Sequence, residues 1–267
     1  MTWFATLTGG ERPPGYGYLP FLEGLAADME GVDESAFGTD PTRWANALPR
    51  AARLVGARAI VLGTLTPVRR ALAAELGGAG DAGSGAVLAD TLARLADTQR
   101  GERDLAVLLP GVATLLDGGD RAALDALKAR LVGLMERLCV SRPALVLVDE
   151  DDGPALSGSD GRRLFGTLKN VADYYGVALG LRLSGADPEI AIGARRNLRI
   201  DHLLLADPVA DPARCLAAAA RAGWRSLGLS GMPAALPGSA PGDPGLWFAS
   251  PGQMRDIDAL KTATGAA

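Results

Sequence analysis

Between Pro143 and Gly153 the chain reads Ala-Leu-Val-Leu-Val-Asp-Glu-Asp-Asp, five apolar residues followed without a break by four carboxylates. A strand with one wet face alternates apolar and polar residues, whereas an unbroken apolar run is buried on both faces and belongs to a parallel sheet. In parallel α/β folds ligands collect beyond the carboxyl ends of the strands. Asp149, Glu150, Asp151 and Asp152 therefore stand where a site is expected.

The rest of the chain repeats this unit. Strand-length apolar segments are expected at residues 3–7, 59–63, 104–111, 144–148, 177–183, 201–206, 224–229 and 246–249, separated by stretches with helical spacing. Asp40-Pro41 supplies an N-cap with proline at the first helical position, Pro49 is expected to kink the helix that follows, and Gly56 ends it. Asp120 caps a helix whose leucines at 124, 127, 131, 134 and 138 share one face. A last helix is expected from Gln253 to about Thr262, while the glycine-rich stretch 77–85 reads as a surface loop. Eight strands alternating with helices give a (β/α)8 TIM-type barrel, one α/β domain over residues 1–267, with an open doubly wound sheet as the alternative. The length suits that barrel, which needs roughly 250 residues.

A net charge of −4 offers no footprint for nucleic acid or an anionic membrane, so an anionic ligand must be held by locally placed arginines. The two cysteines, Cys139 and Cys215, lack CxxC spacing and read as packing residues of a cytoplasmic protein. No apolar run approaches the roughly 18 residues of a membrane span. One histidine, His202, gives little material for a catalytic triad or a multi-histidine metal site, and reads as structural or exposed.

The order of several short motifs resembles the superfamily of uroporphyrinogen decarboxylase and the zinc-dependent corrinoid, coenzyme M and cobalamin-independent methionine synthase-like methyltransferases. Gly17-Tyr-Leu-Pro20 looks like the Gly-x-Tyr-Leu-Pro signature, Leu108 to Leu116 like the Gly-x-x-Gly-x-Pro-x-Thr-Leu segment, Ser230-Gly-Met-Pro233 like the Gly-Asn-x-Asp-Pro turn, and Ser250-Pro-Gly-Gln253 like the Thr-Pro-Glu start of the last helix. Where the methyltransferases carry His-x-Cys-Gly after the fifth strand, the chain reads Arg182-Leu-Ser-Gly185, and no cysteine stands near Ser250. Arginine does not ligate zinc and a serine hydroxyl is a poor substitute for thiolate, so no metal site is expected. The decarboxylases work without a cofactor, holding carboxylates with arginines and facing the pyrrole nitrogens with an acid. The chain lacks their Arg-Gln-Ala-Gly-Arg string and the histidine near their end. The resemblance thus implies a divergent member acting on another substrate.

Strand alternation places Asp149 and Asp151 on one side and Glu150 and Asp152 on the other, and one pair is expected to face the barrel mouth. Like charges so placed raise one pKa and suit general acid work. The catalytic candidates are Glu150, Asp152 and Asp149; the substrate-binding candidates are Arg12, Tyr18, Thr64, Thr114, Arg182, Ser184 and Ser230. An alternative for Arg182 is a salt bridge to the acidic run. The leading functional expectation is a cofactor-independent lyase that decarboxylates an anionic, carboxylated small molecule, heteroaromatic molecules included. A zinc-free methyltransferase served by a corrinoid or folate, and a non-catalytic binding protein on a degenerate barrel, are the alternatives. Neither nucleic acid nor membrane is expected as a partner; a homodimer is left open.

Overall fold

In the computed structural model, which describes residues 3–8, 16–80, 83–99, 101–111, 121–151, 159–231 and 244–265, strands alternate with helices along the chain. The order is α1 (Trp3–Thr8), β1 (Gly17–Leu19), α2 (Glu23–Glu30), α3 (Pro41–Leu54), β2 (Ala59–Leu62), α4 (Thr66–Gly77), α5 (Ser84–Gln99), β3 (Asp104–Pro110) and α6 (Arg121–Cys139). It continues with β4 (Leu145–Asp151), α7 (Ser159–Tyr175), β5 (Ala178–Ser184), α8 (Pro188–Ala194), β6 (His202–Leu205), α9 (Pro212–Ala222), β7 (Ser226–Ser230), β8 (Gly245–Ala249) and α10 (Ile257–Thr264). All ladders are parallel, in the order β1-β8-β7-β6-β5-β4-β3-β2. The sheet therefore curls into a nearly closed TIM-type barrel whose first and second strands face one another across a seam without ladder hydrogen bonds.

Alternation sorts the strand residues into two cores. Leu19, Val61, Leu108, Leu147, Leu204 and Trp247 meet inside the barrel. Ile60, Val107, Val146, Val148, Leu181 and Leu203 face outward and pack with the helices, including Leu127, Leu131, Leu134 and Leu138 of α6. The continuous apolar run of β4 is thus explained: one half of it fills the barrel and the other half seats the helix layer. Cys139 and Cys215 are buried in that outer core, where burial pushes the Cys139 thiol up to about 12.

The largest departure from the sequence reading is at the N-terminus. Residues 3–7, expected as a strand, form helix α1, and the first strand is instead drawn from the turn-rich segment that follows, Gly17–Leu19. The reason is tertiary. The Phe4 amide donates to an Asp104 carboxylate oxygen at 2.9 Å, and the Phe4 ring sits edge-on to Trp247 at 5.3 Å and to His202 at 6.4 Å. Helix α1 thereby seals the floor of the barrel, the end opposite the strand carboxyl termini. Gly17 makes room for it, since a Cβ there would lie 2.6 Å from the Trp3 ring. Six apolar-rich residues carry no period long enough to separate helix from strand.

Of two helix expectations, the first keeps its bounds and the second shifts. Helix α3 runs on from its Asp40 cap through Pro49 to Leu54, with Pro49 buried inside it. The last helix begins at Ile257, capped by Asp256, rather than at Gln253, because Gln253 and Met254 are engaged in the tertiary contacts described below. Asp120 lies outside the described residues.

His202 is buried on the inner face of the floor. Its Nδ1 is 2.5 Å from Ser226 Oγ, and burial pulls the imidazole down to about 4. The unfolded chain, with a pKa near 6.5, therefore binds a proton that the folded chain refuses as pH falls from 6.5 towards 4. The stability that neutral His202 contributes is complete above pH 6.5 and is lost below it, by up to about 3 kcal/mol. Urea denaturation of the wild type and of His202→Gln at pH 7.5 and 4.5 checks this. The gap between the two should move against the wild type on acidification, and a pH-independent gap contradicts a buried neutral imidazole.

Candidate functional site

At the carboxyl end of β4 the alternation reaches the acidic run. Asp149 follows Leu145 and Leu147 on the inner face, and Asp151 lies one step further along it; Glu150 follows Val146 and Val148 on the helix side. Of the alternative pairs, the one that looks into the mouth is Asp149 and Asp151. Glu150 is buried against Gly111, where a Cβ would fall 2.1 Å from its carboxyl carbon, so its place is between the strand and the outer layer. Gly111 is a glycine for that reason, and its amide donates to the Asp149 carbonyl at 2.8 Å.

Asp149 is the hub of the mouth. Arg182, its register partner on β5, donates from Nη1 to Oδ1 at 2.6 Å, and Arg69, from the first turn of α4, reaches the other oxygen through Nη2. The Asp149 side chain is 5% exposed, Arg182 13% and Arg69 33%, so the cluster opens towards solvent through Arg69. The salt bridge expected as the alternative for Arg182 is formed, but with a second arginine that leaves positive charge in excess on this carboxylate. One step along the strands, in the next inward register pair, Ser184 Oγ donates to Asp151 Oδ1 at 2.8 Å. Arg182 and Ser184 are thus each tied to a carboxylate of β4.

The remaining sequence candidates divide. Ser230 ends β7 on the inner face, and its buried hydroxyl has no hydrogen-bond partner among the described residues. Arg69 Nε is likewise buried and unmatched. Thr64 is spent on structure: its hydroxyl donates to Glu23 Oε2 at 2.5 Å and accepts from Gln253 Nε2 at 2.6 Å. Tyr18 lies on the outward side of β1, with its hydroxyl 3.0 Å from Ser250 Oγ and donating to Met254 Sδ at 3.2 Å. Burial raises its pKa against the weaker opposing pull of the Ser250 bond. Arg12, Thr114 and Asp152 lie outside the described residues.

Two residues at the mouth escape a motif-based reading. Arg69 sits in Pro67-Val-Arg-Arg, and its only signal is its place in the first turn after a strand, where side chains overhang the barrel mouth. Glu23 is a lone acid in the apolar stretch Phe21 to Ala27, and that isolation is its signal. It is fully buried and accepts from the amides of Gly63, Thr64 and Leu65 at 2.9, 2.6 and 2.9 Å. Burial pushes its carboxyl up to about 7, while the Thr64 hydroxyl and the three amides pull it back.

Among the described residues no group of three His, Cys, Asp or Glu side chains is placed to hold a metal ion, and no helix is long and apolar enough to cross a membrane. Comparison with known proteins finds no matching family model and no matching curated protein.

The unequal burial of the cluster makes a stability test. Asp149→Ala strands the Arg182 charge in a dry setting and should cost about 3–5 kcal/mol by chemical denaturation. Arg69→Ala leaves the Asp149–Arg182 pair intact and should cost no more than about 1 kcal/mol. Equal effects would show that the cluster is solvated.

Proposed function

We propose that the barrel mouth is the active site of a cytosolic, cofactor-independent lyase that decarboxylates an anionic small molecule. The observation that carries this reading is the pair of arginines gathered on one inward carboxylate at the strand ends, where parallel barrels keep their chemistry. Asp149 fixes the two guanidinium groups, and the donors that it leaves free on them are suited to a planar carboxylate. The order of motifs that resembles the uroporphyrinogen decarboxylase superfamily supports the same class.

The chemistry limits the substrate further. A fixed cation stabilises a carboxylate more than the neutral carbon dioxide it becomes, so the arginines slow the loss of any carboxylate they hold. They must therefore grip a carboxylate that stays, while the departing one lies elsewhere in the mouth. The substrate then carries at least two anionic groups. Asp151, exposed and oriented by Ser184, is the acid that protonates the reacting carbon; the bond to the leaving carboxyl group breaks, carbon dioxide departs, and its electron pair neutralises the protonated centre. Once its proton is given up, the Asp151 carboxylate faces the transient positive charge of that centre. Glu150, on the helix side, has no part in this scheme.

Thermal-shift screening against dicarboxylated pyrroles and related heterocycles, with porphyrinogens, corrinoids and folates in parallel, finds the ligand, and carbon dioxide release reports the reaction. Arg182→Ala should weaken binding about 10- to 100-fold, the worth of one charge-assisted contact. Asp151→Asn should leave binding intact and lower kcat by about 100-fold or more. Binding of corrinoid or folate alone transfers the assignment to a methyltransferase, and binding without turnover makes the barrel a binding protein.

A further inference from the structure

Glu23 is a charge buried where no strand ladder exists. It opens α2, just after β1, yet among the described residues the hydrogen bonds it accepts come from residues 63–65, immediately after β2, on the other side of the seam. A buried carboxylate is costly unless donors surround it, and here four donors do so. Three of them are the backbone amides of residues 63–65, which lead into α4, whose N-cap residue, Leu65, has no capping side chain of its own. A serine or aspartate at position 65 would not reach them, because an N-cap side chain accepts from the amides two and three residues further on, and of those Pro67 has none. A carboxylate supplied from across the seam does something that a local cap does not, because it ties α4 to α2.

The tie leads to the mouth. The Leu65 amide is held by Glu23, the Leu65 carbonyl accepts the Arg69 amide at 2.9 Å, and the Arg69 guanidinium binds Asp149. Gly63 makes the bend possible: its φ is +80°, and a Cβ would lie 2.5 Å from the Leu108 carbonyl oxygen. Gln253 pins the same loop from the C-terminal side, donating to Thr64 Oγ1 and accepting from the Gly24 amide at 2.9 Å. We propose that Glu23 is a positioning residue for the arginine pair: by holding the Gly63–Leu65 amides across the seam it sets the first turn of α4, and with it the place of Arg69 over Asp149.

The consequence for ligand affinity rests on the reading of the arginine pair as the anion site; the effect on Arg69 itself does not. Arginine-labelled protein at pH 8 gives the first measurement. The Arg69 Nε–Hε cross-peak, identified by its loss in Arg69→Lys, should move and exchange with water about 10-fold faster in Glu23→Gln, where an amide group is set against backbone donors. Thr64→Val, which removes one donor and leaves the carboxylate, should shift the peak in the same direction, and it serves as the test if Glu23→Gln does not fold. An unmoved Arg69 signal in the folded variants overturns the proposal.

Affinity for pyrrole-2,5-dicarboxylate gives the second measurement. Glu23→Gln and Arg69→Ala should each weaken it about 10-fold, and the double variant should bind no worse than Arg69→Ala alone, since one acts through the other. Additive losses overturn the positioning role. If the wild type binds no such anion while the Arg69 signal responds as described, the functional reading fails and the positioning inference stands.

Discussion

A parallel strand covered on both faces has no wet side, and the mouth of this barrel follows from that constraint. At the end of β4 successive residues must enter either the lumen or the helix layer, and Asp149 and Glu150 are both buried although they point in opposite directions. A carboxylate in such a place requires partners. Asp149 draws Arg182 from the neighbouring strand and Arg69 from a helix two units earlier; Glu150 settles against Gly111, the one residue type with room for it. The inner acid thereby becomes an anchor for positive charge, while Asp151, the next inward residue of the strand, meets the Ser184 hydroxyl instead.

The same logic shapes the seam. Closing eight parallel strands leaves β1 and β2 side by side without a ladder, and the polar groups at their carboxyl ends are satisfied by side chains. Glu23, Thr64 and Gln253 form that closure from three distant parts of the chain, and they do so next to the helix that carries Arg69. At the other end an aromatic floor of Trp3, Phe4, His202 and Trp247 shuts the lumen with helix α1. One end is sealed by aromatic packing and the other is held by charge.

Much of the architecture was legible because parallel strands announce themselves. The runs at 59–62, 105–110 and 144–148 are apolar without alternation, and Asp40-Pro41 and Asp211-Pro212 mark helix starts with a cap that binds within its own first turn. The first strand was not legible: Gly17–Leu19 is three residues long and gains its identity only from pairing with β8 and from the indole laid over Gly17. The candidate site was legible as a place and partly as a set of residues. Strand ends gave Asp149, Arg182, Ser184 and Ser230 and offered Asp151 only within one of two alternative pairs, whereas Glu150, a catalytic candidate, lies on the helix side, Thr64 and Tyr18 serve tertiary hydrogen bonds, and Arg69 and Glu23 carried no motif at all.

The sequence by itself determined the repeating unit, the alternation of side chains along a strand and the abrupt change from apolar to acidic at Val148, because these depend on local periodicity and on the cost of burying polar groups. It left open which of two alternating pairs looks inward. Only the tertiary structure decided that, since facing is fixed by the register of β4 against β3 and β5 and by the curl of the whole sheet. The partners of Asp149 and Glu23 were decided at the same level. Arg69 is 80 residues from Asp149 and Glu23 is 40 residues from Gly63, and contacts at such separations exist only once the barrel has closed.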